Sequence, residues 1–262
     1  MNAELGSLEL ALRNRCAGGE KALVPYLTGG LGKWQECLAA AVDSGADALE
    51  VGIPFSDPVM DGPVIQEANQ RALSVGATPL GVLNALSKLD VGVPIAVMTY
   101  YNIAFRFGLE RFAAVLASCG VAAAILADLP LEEADPWVQA ADAAGVETVL
   151  LAAPTASDER LGRICERSRG FVYGVGLLGV TGVRSSLAES ATAIAARLKA
   201  RTHKPVLVGV GVGTPEQAQQ VCSVADGVVV GSAMVRCMLE HNDPIALGEL
   251  VGKFRQSLSF AS

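Results

Sequence analysis

Charge is scarce in this chain: 18% of its 262 residues are Asp, Glu, Lys or Arg, against 51% hydrophobic residues. That balance excludes a disordered or fibrous chain and suits an α/β protein built on an apolar central sheet. Basic residues are the scarcer sign, 20 against 27 acidic, for a net charge of −7. Nucleic acid and anionic membrane surfaces require a basic face, so neither is an expected partner. The same imbalance means that the field of the whole protein does not gather an anionic substrate. Histidine is nearly absent. Only His203 and His241 occur, one before the seventh predicted strand and one in the C-terminal helical region, and both read as surface residues. Carboxylates are left to carry any proton transfer.

No Cys-x-x-Cys pair occurs among Cys16, Cys37, Cys119, Cys165, Cys222 and Cys237. Scattered in this way they read as small buried hydrophobes in a reducing cytoplasm, not as disulfides or metal ligands. The uncharged run of residues 112–127 is broken at Cys119-Gly120 and falls short of the roughly 20 residues that a membrane helix needs. Residues 1–16 lack the apolar segment of a signal peptide and read as a helix. Length alone allows one large barrel or two small domains. With no Pro/Ser-rich linker to divide them, residues 1–262 are expected to form a single domain.

What is present is a repeated junction, a helix ending in Gly followed by a short, branched, apolar strand. It occurs at Gly45 before residues 49–51, at Gly120 before 121–126 and at Gly145 before 146–151. Glycine is favoured just past a helix end because it takes the left-handed conformation without a Cβ penalty. Further strands are expected over 22–27, 93–98, 171–175, 205–210 and 227–230. Helices are expected over 34–42, 79–89, 109–117, 132–144, 157–168, 187–200 and 215–224. Eight strands alternating with helices predict a closed parallel α/β fold, a single (β/α)8 TIM barrel with an extra N-terminal helix. An open doubly wound sheet is the alternative, opposed by the strand count and by the lack of an early Gly-x-Gly-x-x-Gly.

One predicted strand carries an acid. Glu50 lies within the apolar stretch 47–53, and Pro54-Phe55-Ser56-Asp57-Pro58-Val59-Met60-Asp61-Gly62-Pro63 follows at once. A buried carboxylate loses much of its hydration energy, so it has either a partner or a task. Glu50 either pairs with an Arg or Lys elsewhere, or forms a two-carboxylate acid/base site with Asp61. In a barrel, catalytic groups gather at the strand C-termini and in the loops that follow. Glu50, Asp61, Tyr100, Asp128 and Tyr173 all fall there.

Residues 50–66, reading Glu-x-Gly-Ile-Pro-Phe-Ser-Asp-Pro-x-x-Asp-Gly-Pro-x-Ile-Gln, closely resemble the signature of the tryptophan synthase alpha subunit family. Thr99-Tyr100-Tyr101-Asn102, Ala127-Asp128-Leu129-Pro130, Gly179-Val180-Thr181-Gly182 and Gly231-Ser232-Ala233 resemble the family's later motifs in the same order, so the likeness spans nearly the whole chain. It implies a lyase of tryptophan biosynthesis that cleaves indole-3-glycerol phosphate to indole and glyceraldehyde 3-phosphate by a retro-aldol reaction, without cofactor or metal. Under that resemblance Glu50 makes both proton transfers and Asp61 accepts a hydrogen bond from the indole N–H. Tyr173 matches a family aromatic near the acid, and serves equally well as barrel filler. Tyr100 and Thr181 enter as substrate contacts. Tyr26, Ile65 and Leu126 are walls for the indole ring or plain core.

A phosphate grip is the second chemical signal. The loops after strands seven and eight of such barrels commonly present backbone N–H groups to a phosphate. Here they read Gly209-Val210-Gly211-Val212-Gly213 and Gly231-Ser232-Ala233, with Gly179-Val180-Thr181-Gly182 after strand six. Each cluster alone is an ordinary βα turn; three at neighbouring strand ends favour an anion. The resemblance carries the role to Gly182, Gly211, Gly231 and Ser232. Because no Lys or Arg lies in the two later loops, backbone dipoles are left to offset the unfavourable global charge, with Arg184 as a helper from loop six.

The resemblance further implies a protein partner, a pyridoxal phosphate beta subunit in an alpha2beta2 hetero-oligomer, docking on the loop that holds Asp57 and Pro58. Three departures bear on that docking. Thr28-Gly29-Gly30-Leu31-Gly32-Lys33 lacks the family's usual Asp-Pro after the Gly, Gly176-Leu177-Leu178 stands where a polar or Arg-bearing run is common, and Val210 replaces a frequent Phe. None removes a carboxylate. Three readings follow: an alpha subunit passing indole to its partner, a stand-alone indole-releasing lyase, and a weakly catalytic regulatory partner.

Overall fold

Parallel strands flanked by helices outside and by packed side chains inside are buried on both faces, and their sequences run almost continuously apolar. The computed structural model describes residues 5–176, 184–209 and 212–259. Its strands are β1 (Ala22–Thr28), β2 (Leu49–Gly52), β3 (Ile95–Thr99), β4 (Ala123–Leu126), β5 (Glu147–Thr148), β6 (Leu150–Ala152), β7 (Val172–Gly174), β8 (Val206–Val208) and β9 (Gly227–Val230). Only Met98 in β3 and Leu151 in β6 are less than fully buried. All neighbours are parallel, in the order β5-β4-β3-β2-β1-β9-β8-β7-β6. β5 and β6 are halves of the fifth predicted strand, parted at Val149, whose N–H donates to the Ala124 carbonyl at 3.1 Å. One half pairs with β4 and the other with β7, so the row of strands returns on itself as the expected eight-stranded barrel.

The glycines that end helices do so for the reason given: Gly45, Gly120 and Gly145 have φ of 101°, 74° and 73°. Helix starts are equally local, with Thr78, Ser157 and Thr214 each accepting a backbone N–H at the N-cap. Two helices escape the sequence reading. Pro63–Ser74 begins with a proline that reads as turn but is pre-set for the first helical position. Its buried stripe, Ile65, Ala68, Asn69 and Ala72, includes a polar residue that breaks the apolar pattern. Tyr101–Phe107 is a short helix whose first N–H donates to Asp128 Oδ1 at 2.6 Å, so Asp128 is engaged in holding a helix start.

The N-terminal helix Ser7–Ala17 packs against the strand N-terminal ends, and what anchors it is a second buried strand carboxylate. Glu147 accepts the N–H groups of Leu8 at 2.8 Å and Glu9 at 3.0 Å, taking the place of a capping side chain. Gly6 makes room for it, since a Cβ there would lie 2.1 Å from Glu147 Cδ. At the same end Arg255 of the last helix, Pro244–Leu258, donates to the carbonyls of Gly45 at 2.9 Å and Lys21 at 2.8 Å and pairs with Asp47. His203 and His241 are exposed, and Cys37, Cys165, Cys222 and Cys237 are buried. Among the described residues no helix is long and apolar enough to cross a membrane.

Candidate active site

Register places Glu50 level with Tyr26 on the neighbouring strand, so both side chains share one face of the sheet. That face is the barrel interior. Glu50 and Tyr26 line a cavity of about 370 Å³ at the C-terminal strand ends, together with Asp61, Ile65, Tyr173, Gly231 and Ser232. Glu50 is 1% exposed, and among the described residues its Oε2 has no hydrogen-bond partner. Burial, then the charge of nearby Asp61, pushes its carboxyl up to about 8. Glu147 and Glu50 thus realise the two fates open to a carboxylate in a strand. One is tied to backbone N–H groups at the N-terminal strand ends; the other faces a cavity and, among the described residues, makes no ion pair.

Asp61 is held from the loop side. Its N–H donates to the Pro58 carbonyl at 3.0 Å, its carbonyl accepts from Gln66 Nε2 at 2.8 Å, and Asn69 Nδ2 lies 3.4 Å from Oδ2. Burial pushes its carboxyl up to about 6, while donation from Tyr100 and Asn69 holds it below where burial alone would put it. Tyr100 therefore has a different place from the expected one. It does not line the cavity; it stacks on Phe55 with ring centroids 5.0 Å apart, accepts the Met60 N–H at 2.9 Å and donates to Asp61. It anchors the loop that carries the second acid. Leu126 is also absent from the cavity wall and is buried at the end of β4. Thr181, Gly182 and Gly211 lie outside the described residues, as does the side chain of Arg184.

Two glycines that the sequence reading gave no such role shape the cavity. A Cβ on Gly52 would sit 1.9 Å from Tyr26 Oη, and one on Gly209 would sit 2.2 Å from Tyr173 Oη. Each phenol occupies the space that a side chain on the adjoining strand end would need. Gly209→Ala is accordingly expected to displace the Tyr173 ring and lower stability by about 1–3 kcal/mol, the usual range for overpacking. Urea unfolding checks this; an unchanged midpoint would mean that the ring moves aside freely.

A neutral acid at Glu50 and an ionised one at Asp61 can together protonate and hold a substrate at neutral pH. The helix Ser232–His241, with Gly231 at its N-cap, offers unpaired N–H groups to an anion on the other side of the cavity. Barrel and cavity define an acid–base enzyme of the (β/α)8 class. A family model described as "Tryptophan synthase alpha chain" matches residues 12–251. The tryptophan synthase alpha chain of Gloeobacter violaceus is 44% identical over 243 residues, covering 90% of this chain and 88% of that one. That of Thermobifida fusca is 42% identical over 250 residues, covering 93% of each. Among solved structures, tryptophan synthase from Mycobacterium tuberculosis superposes with a TM-score of 0.89 at 37% identity, covering 97% of this chain and 99% of that one. The alpha subunit from Legionella pneumophila gives 0.88 at 34% identity, covering 98% and 99%. The chain belongs to the tryptophan synthase alpha chain family, carbon–carbon lyases of tryptophan biosynthesis that cleave indole-3-glycerol phosphate.

Proposed function

We propose that this chain performs the family's retro-aldol cleavage with Glu50 as its acid and base and Asp61 as the partner of the indole nitrogen. The observation that carries the assignment is the buried Glu50 carboxyl, raised to about 8 and facing the cavity, its Oε2 without a hydrogen-bond partner among the described residues. Indole is a poor leaving group until C3 is protonated. Glu50 donates that proton, and the positive charge that develops on the ring nitrogen is held by the Asp61 carboxylate. The side-chain hydroxyl then loses its proton to Glu50 as its carbon becomes a carbonyl. The C–C bonding pair returns to the ring, indole is neutral again, and the acid is regenerated. Tyr26, Ile65 and Tyr173 wall the ring, and the N–H groups at Gly231 and Ser232 take the phosphate. The direct test is turnover: purified chain given indole-3-glycerol phosphate is expected to release indole and glyceraldehyde 3-phosphate in equal amounts, and no release with or without a partner would sink the proposal.

We place the beta subunit on the barrel mouth, in an alpha2beta2 assembly in the cytoplasm. The loop that bears Asp61 also exposes Asp57, Val59 and Met60, so a protein seated there presses on the segment that aligns the second acid. A coupling of roughly 1–3 kcal/mol gives about 5- to 150-fold activation. Asp57→Ala is expected to reduce the partner's activation more than the basal rate. The measurement is turnover against rising amounts of the cognate pyridoxal phosphate subunit. An isolated chain that is already fast and indifferent to saturating partner would be a stand-alone lyase.

A further inference from the structure

The cavity holds two carboxylates, Glu50 and Asp61, in a chain of net charge −7. A phosphate entering it meets repulsion from the ionised Asp61 and nothing attractive from the neutral Glu50. The N–H groups of one helix end supply only about half an elementary charge against it. Among the described residues a single Lys or Arg lines the cavity, and it is Arg236. Arg236 stands one turn beyond Ser232 on the helix Ser232–His241, and residues so spaced share a face. Helical side chains lean toward the helix N-terminus, which directs the guanidinium back toward Gly231 and Ser232. It is exposed, and among the described residues it makes no hydrogen bond or ion pair. Arg71, on the adjoining helix, is engaged by contrast with Glu67 and with the Leu239 carbonyl at 3.4 Å.

We infer that Arg236 is the cationic contact for the substrate's phosphate, completing the N–H groups of Gly231 and Ser232 from the side of the helix. The inference rests on the lyase reading above. A guanidinium fork matches phosphate oxygens two at a time, which adds orientation to charge. The two later loops themselves offer only backbone dipoles against the acidic field, and Arg236 lies just past them in the sequence. A free arginine at the mouth also adds a local attraction that the protein's overall field does not provide.

Two variants test it, Arg236→Gln and Arg236→Lys, with glycerol 3-phosphate as the calorimetric probe at low and high salt and indole-3-glycerol phosphate for turnover. Arg236→Gln is expected to bind glycerol 3-phosphate about tenfold more weakly and to lose part of the wild-type salt dependence. Its KM should rise in step while kcat stays within about twofold, the pattern of a contact made equally in the ground and transition states. Arg236→Lys should keep most of the affinity, and both variants should unfold at the wild-type midpoint. Wild-type affinity in Arg236→Gln at both salt concentrations overturns the inference and leaves the lyase function standing. A wild-type chain that neither binds glycerol 3-phosphate nor cleaves the substrate overturns both.

Discussion

Glu50→Gln is expected to lower cleavage of indole-3-glycerol phosphate by roughly 100- to 10,000-fold and, at neutral pH, to make the protein more stable. The loss follows because an amide neither donates an acid proton nor takes one back. The gain follows from burial. In the unfolded chain the Glu50 carboxyl ionises near its ordinary 4.5, whereas the folded protein keeps it neutral up to about 8. A raised folded-state value means that the proton's contribution to stability is whole below pH 4.5 and is lost as pH rises toward 8. Across that window ionisation of the unfolded chain works against the fold by about 1.4 kcal/mol per pH unit. Glutamine carries no such penalty. The stability difference between variant and wild type should therefore widen from pH 4.5 to 8, as read from urea midpoints. Retention of more than a tenth of the wild-type rate would remove Glu50 as the acid, and a difference that stays flat with pH would mean that the carboxylate has a partner in the fold.

Asp61→Asn is expected to cost roughly 100-fold or more, because the amide presents no negative charge to the ring nitrogen when it becomes positive. The pH profile shows the same division of labour. For the wild type, kcat/KM should rise through about pH 6 as Asp61 ionises and fall through about pH 8 as Glu50 loses its proton. The two limbs belong to the coupled pair, since the Asp61 charge is itself one cause of the raised Glu50 value. In Asp61→Asn the acidic limb should vanish and the basic limb should move to lower pH. A basic limb that stays in place would separate the two carboxylates electrostatically and move the indole contact to another group.

Much of the barrel was readable from the chain because its signals are local. A glycine after a helix, a proline at a helix start and a run of branched residues each act within a few positions. The two missed helices show the limit of this. Pro63–Ser74 buries Asn69 in its stripe for the sake of Asp61, and Tyr101–Phe107 is capped by Asp128, distant in sequence. Local pattern gives no account of a residue placed for a neighbour's benefit. The cavity wall divides the same way. Tyr26, Ile65 and Tyr173 line it, while Leu126 and Tyr100 lie outside that lining, because which neighbour a side chain meets at a strand end depends on the strands beside it.

The sequence by itself determined the strand and helix order, the acid on β2, the acid in the loop after it and the family signature that joins them. Only the tertiary structure decided which buried strand carboxylate was free to act. Glu50 and Glu147 both lie in apolar strands. Glu147 meets the first N–H groups of a helix from the other end of the chain, and Glu50 meets an open cavity. The tertiary structure likewise decided that Tyr100 packs beside the loop of Asp61 and that Arg236 lines the cavity with Gly231 and Ser232. Burial, pairing and charge are properties of what surrounds a group, and those surroundings exist only once distant segments have closed the barrel.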